Sequence, residues 1–136
     1  MITIEEGLLY HLQNTAGVAA LVSTRVYPNK LPETVTFPAI TYQRIDSPRV
    51  LTHDTSGATG TARPRFQFDA WGTTYASAKA VTDAIRAALN GYVGAMGTGG
   101  STVTVQSSLI QDERFDDFGD AGILRISSDY IIWHLE

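Results

Sequence analysis

Three places in this 136-residue sequence hold residue types that could do chemistry. The first is Gly97-Thr98-Gly99-Gly100-Ser101, whose glycines would let a backbone approach a phosphate. A phosphate loop places Lys and then Ser or Thr directly after its glycines, so that an ammonium reaches the phosphates. No lysine follows here, and Thr102 stands where a dinucleotide fingerprint needs its third glycine. The segment also leads into a predicted strand, so no helix N-terminus is offered to an anion. The second place is Asp112-Glu113-Arg114-Phe115-Asp116-Asp117-Phe118-Gly119-Asp120, with five carboxylates in nine residues. A calcium loop takes oxygen ligands at alternate positions. Begun at Asp112 it would meet Arg114, and begun at Asp116 it would meet Phe118, so the stretch reads as a solvated acidic turn. Phe115 and Phe118 are then core anchors or partner contacts. The third place is the histidines. His11, His53 and His134 are far apart, unlike a metal-binding pair. His53-Asp54-Thr55-Ser56-Gly57 contains triad residue types, but adjacent loop residues cannot orient one another as base and orienter, and no nucleophile elbow is present. No catalytic residue, metal ligand or cofactor site emerges.

Composition narrows the classes further. Apolar residues make up 43% of the chain, enough for one core, and charged residues 18%, against about 25% in globular proteins. Low charge leaves neutral surface suited to subunit contacts. The net charge is -4, and the eight Arg and two Lys are scattered, whereas gripping a nucleic-acid backbone takes a clustered basic patch. Without cysteine there is no disulfide, thiolate nucleophile or Cys-ligated zinc. Glu5 and Glu6 follow Met1 to Thr3 at once, unlike a signal peptide, and the apolar run Val18 to Val22 is far short of the roughly 20 residues of a membrane span. The expectation is a soluble protein made in a cytoplasm, with no membrane partner.

The elements follow from spacing. Thr3-Ile4-Glu5-Glu6 is a capping box and starts a helix to about Gln13, with Leu8, Leu9 and Leu12 on its apolar side. Thr15 is placed to cap a short second turn, Ala16 to Val22. Val26-Tyr27-Pro28 is extended, and Pro28, Pro32 and Pro38 punctuate a loop. Ala39 to Ile45 and Pro64 to Trp71 alternate as strands, the second presenting Phe66, Phe68 and Ala70 on one face. Between them lies a long loop, Asp46 to Ala62, expected to be mobile in a free subunit. Thr73 or Thr74 is placed to cap a helix on which Tyr75, Ala78, Val81, Ile85, Ala88 and Leu89 form one stripe and which ends at Asn90-Gly91. The five glycines of Gly91 to Ser101 read as a flexible connector. A strand from Thr102 to Gln111, the acidic turn, and a long strand from Ile123 to Leu135 complete the chain. The predicted fold is α+β: a mainly antiparallel sheet of about four strands with two helices packed on one face, in a single domain over 1–136.

That last strand has two faces. Leu124, Ile126, Ser128, Tyr130 and Ile132 suit a helix-packed core. On the other face, Arg125 to Asp129 is polar, whereas Ile131, Trp133 and Leu135 are apolar. A one-sided antiparallel sheet leaves that second face wet, and an apolar patch there marks an interface unless a loop of the same chain covers it. Ile131 and Trp133 are therefore candidate contact residues, joined by Arg49, His53 and Arg63 in and beside the long loop.

The succession "AGVAALVSTRVYP", "LPETVTFPAITYQRI", "RPRFQFDAWGTTYASAKAVTDAIRAALNGY" and "ILRISSDYIIWHLE" resembles the tail-completion (tail-terminator) proteins of long-tailed phages and prophages. The likeness spans nearly the whole chain, and the "FQFDAW" strand running into an alanine-rich helix is its most specific part. It implies a structural protein of the virion's tail and neck with no catalytic residues. It also implies a homo-oligomeric ring, usually hexameric, at the head-proximal end of the tail. Such a ring ends tail-tube growth, meets the tail tube protein and the head connector or stopper protein, and lets genome DNA through its lumen without specific binding. Two alternatives stand beside it. One is another neck component, a head-completion or stopper protein. The other is a small ligand-binding α+β domain, for which the buried polar candidates are Asp69, Ser128 and Asp129.

Overall fold

The computed structural model describes residues 2–50, 53, 57, 60–117 and 122–136. Three helices, α1 (Ile4–Asn14), α2 (Ala16–Val22) and α3 (Tyr75–Leu89), pack on one face of an eight-stranded sheet. Its strands are β1 (Val26–Pro28), β2 (Ala39–Asp46), β3 (Arg49–Val50), β4 (Thr61–Ala62), β5 (Arg65–Gly72), β6 (Gly94–Thr98), β7 (Ser101–Asp117) and β8 (Leu124–Leu135). All pairings are antiparallel except β1 with β2. Tyr27, Thr41, Asp69, Ser127 and Arg114 stand in one row across five strands.

The expected sheet of about four strands with two helices is thus corrected to eight strands and three helices, for identifiable reasons. The long loop holds two short strands, because β3 and β4 are the far ends of the β2 and β5 lines. Pro48 and Pro64 interrupt those lines, since proline has no N–H to give the ladder. Their carbonyls still accept, Pro48 from the Arg63 amide at 2.9 Å and Pro64 from the Ile132 amide at 3.0 Å. Most of the residues between β3 and β4, including Asp54 and Ser56, lie outside the described residues, as do Phe118 and Asp120; the expected mobility of the loop falls largely on them.

The glycine connector is also a strand. β6 pairs with the start of β7, and α1 lies against it. The described start of the acidic turn, Asp112 to Asp117, is the second half of β7 and stays paired with β8. Register shifts between Val105 and Ser107 and between Ile110 and Asp112 break the period-two pattern there, which is why the sequence looked like a turn.

Other expectations hold. Thr3 accepts from the Glu6 amide at 3.2 Å while Glu6 reaches back to the Thr3 amide at 3.0 Å. Thr74 caps α3 by accepting from the Ser77 amide, and Gly91 leaves the helix at φ 81°. Thr15 does not cap α2 through its side chain. Its hydroxyl donates back to the His11 carbonyl at 2.6 Å. The core gathers Leu8, Leu12, Phe66, Phe68, Ile85 and Tyr130, all at 0% exposure.

Candidate interaction surface

Side chains alternate across a strand, so β8 sends Ile126, Ser128, Tyr130, Ile132 and His134 under the helices, where all are buried. Arg125, Ser127, Asp129, Ile131, Trp133 and Leu135 take the helix-free face. That face divides in two.

Its first half is polar and tied together. Asp69 accepts from Ser127 Oγ at 2.6 Å, Gln67 Nε2 at 2.9 Å and Thr41 Oγ1 at 3.4 Å. Trp71 Nε1 donates to Thr41 Oγ1 at 2.8 Å. Asp129 accepts from Arg65 at 3.0 Å and from both terminal nitrogens of Arg114, at 3.0 and 3.1 Å. Arg114 also reaches Asp112 at 2.7 Å, which lets two carboxylates stand opposite each other in the β7–β8 register. These hydrogen bonds raise the affinity of Arg114 for its proton and lower that of Asp112 for its own. Arg125 pairs with Asp116 at 2.8 Å and lies over the Trp71 ring. Long side chains so linked roof the buried Thr41, Asp69, Ser127 and Asp129 with their own charges.

The second half is apolar and open. Trp133 is 36% exposed, Leu135 39% and Leu109 of β7 50%; Ile131, half-buried, stands opposite Leu109. No loop covers them among the described residues. Arg63 lays its guanidinium over the Trp133 ring, 5.9 Å from the centroid. Arg49 binds Glu136 through two nitrogens, at 2.9 and 3.1 Å, and ties β3 to the end of β8. The fold therefore brings Arg49, Arg63, Ile131 and Trp133 to the same end of the sheet. His53, in the segment joining β3 and β4, is exposed. Leu135, already on the apolar face by alternation, was not named as a contact, and Leu109 was missed because it falls in phase with Trp133 only through the β7–β8 pairing register, which is invisible in sequence.

The residues of the ligand-binding alternative do not converge. Asp69 and Asp129 lie on the helix-free face and Ser128 under the helices, where its hydroxyl donates to the Phe68 carbonyl. A cleft of about 290 Å³ does lie elsewhere, between the start of α1 and the end of β8, lined by Ile4, Glu5, Arg44, Val103, His134 and Glu136. Its charges are already paired, Arg44 with Glu5 at 2.7 Å and Glu136 with Arg49 at 2.9 Å. His11, the remaining histidine, packs between α1 and α3, with Nε2 donating to the Ala88 carbonyl at 3.0 Å and its ring against Tyr92. Among the described residues no three His, Asp or Glu side chains gather to hold a metal ion, and no helix is long and apolar enough to cross a membrane.

Residues 6–134 match a family model described as tail completion protein gp17. No curated protein matches the sequence. Among solved structures, the chain is similar to one in the virion of a native gene transfer agent particle, with a TM-score of 0.68 and 21% identity over 94% of this chain and 92% of that one.

Proposed function

This chain belongs to the tail completion protein gp17 family, and we propose that it caps the head-proximal end of a phage tail as a closed homo-oligomeric ring. It is a structural protein of the virion's tail and neck, working within an oligomeric assembly, and not an enzyme. The finer reading is a ring of about six subunits held by contacts between unlike patches. On one side the ring ends the tail tube, and on the other it offers the surface for the head connector or stopper.

The observation that carries the ring is the division of the helix-free face. The polar half meets its own hydrogen-bonding needs, so a partner gains little there. The apolar half leaves Leu109, Trp133 and Leu135 in water beside Ile131, and burying such side chains is worth about 25 cal/mol per Å². Arg63 sits at the rim over Trp133, and Arg49 braces the adjoining arm.

Trp133→Ser tests this reading. Native mass spectrometry and negative-stain images of assembled tails are expected to show the ring mass lost, while circular dichroism reports a folded monomer. A variant that unfolds would make Trp133 a core residue, and a variant that still forms rings would remove it from the contact.

A further inference from the structure

A head-to-tail ring joins one patch of each subunit to a different patch on its neighbour, so the Trp133–Leu135 end needs a complement elsewhere on the chain. Among the described residues, Tyr10 of α1, Ile45 of β2 and Val93, between α3 and β6, are exposed singly, whereas one other pair of large apolar side chains stands together. Tyr75, the first residue of α3, is 53% exposed and meets Phe115 of β7, itself 49% exposed, edge-on with centroids 5.3 Å apart. Aromatic rings paired in this way are favoured anchors at interfaces.

The two clusters can be occupied at once. Leu109 and Phe115 both lie on β7, six residues apart, about 20 Å along a strand. They also lie on opposite faces: Leu109 opposite Ile131 on the helix-free side, Phe115 against α3. Their rims differ in charge. Arg63 over Trp133 makes no ion pair among the described residues. Glu113, two residues from Phe115 and on the same face of β7, is an acidic group that shares its charge with Lys79.

We infer that the Tyr75–Phe115 pair is the receiving half of the ring contact: the Trp133–Leu135 end of one subunit seats on it in the next copy, with Arg63 brought toward Glu113. This rests on the ring reading above.

The lack of native cysteine allows a clean test. Leu135→Cys and Tyr75→Cys, both at exposed positions, are purified separately, mixed and mildly oxidised. The expected result is a disulfide-linked dimer of one of each, formed while either variant alone stays unlinked. A chain carrying both substitutions should give a ladder of linked subunits that ends at the ring number. Rapid self-linking of Leu135→Cys would mean that like patches meet, and would overturn the inference. Wild-type rings in native mass spectra, with no link between positions 75 and 135, would overturn this pairing and leave the ring standing. Wild type that forms no oligomer, with or without tail tubes, and no link between the variants would overturn both.

Discussion

At the scale of single residues, the histidine that carries a pH signal is the buried one. His134 is 4% exposed, and its Nδ1 donates to the Leu135 carbonyl. Burial is the main cause that lowers its proton affinity below the ordinary 6.5; Arg44 adds to it, while the Leu135 carbonyl and the charges of Glu136 and Glu5 oppose it. The unfolded chain therefore takes up this proton at higher pH than the folded one. Stability contributed by neutral His134 is present above about pH 6.5 and is lost as pH falls toward the depressed folded value. Asp112 and Glu136, lowered chiefly by hydrogen bonds from Arg114 and Arg49, act only at lower pH, beneath their ordinary 3.8 and 4.5. The urea midpoint should accordingly fall between about pH 7.5 and 5.5 in wild type and fall less in His134→Phe; equal slopes would remove His134 as the cause. Asp129 makes a different prediction. Asp129→Asn weakens hydrogen bonds from two arginines, both partly exposed, and should cost on the order of 2 kcal/mol in urea unfolding. A loss below experimental error would mean that solvent replaces the bonds freely.

At the scale of elements, the helix α1 lies so close to β6 and β7 that sterics overrule propensity. A Cβ at Gly7 would come within 2.5 Å of Val103 Cγ1 and 3.2 Å of Met96 Cβ, both on buried side chains. Alanine is better than glycine in a helix by about 1 kcal/mol. Overpacking a core costs about 1–3 kcal/mol, so Gly7→Ala should lower the melting temperature; a rise would show that the sheet yields. Gly97, at φ 128°, is tighter still, because a Cβ there would lie on the Ser101 carbonyl. Gly97→Ala should destabilise more than Gly7→Ala, and amide exchange in the β6–β7 hairpin should report where. These glycines also explain what the sequence hid. α1, α3, β5 and β8 were legible because capping residues and periodicity act locally: Thr3 with Glu6, Thr74, and the alternation of Phe66, Phe68 and Ala70. The hairpin was not, because glycines chosen for close backbone approach look the same in sequence as glycines chosen for freedom. The second half of β7 hid likewise, its alternation reset by a bulge at Gln111 and its charges on both faces spent on Lys79, Arg125 and Asp129. Of the candidate surface, Trp133 and Ile131 were legible from alternation alone. Leu109 became legible only through its register against Ile131, which local patterns do not encode.

At the scale of the whole molecule, β8 is the strand on which the two halves of the sheet meet. β5 and β4 pair along one edge, at Leu124 to Ile131 and at His134 and Leu135, and β7 pairs along the other. Neither β1–β5 nor β6–β7 touches the other half through the ladder without it. Its inward side chains Ile126, Tyr130 and Ile132 lie 0–2% exposed in the core, and its outward ones supply both Asp129 and the apolar end. The strand that completes the fold is thus the strand that carries the proposed contact, so a subunit presents its Trp133–Leu135 end only after its core has closed. Nearly all the pairings β8 makes are far apart in sequence, and such topologies fold slowly because loop closure precedes the contacts that reward it. A chain ended after Asp129 loses Tyr130, Ile132, both β4 pairings and the Arg49–Glu136 bridge at once. It should show no cooperative urea transition, and near-ultraviolet circular dichroism should be lost with it. If it instead unfolds cooperatively at reduced stability, the helices and the remaining strands suffice for the core, and the closing role of β8 would be wrong.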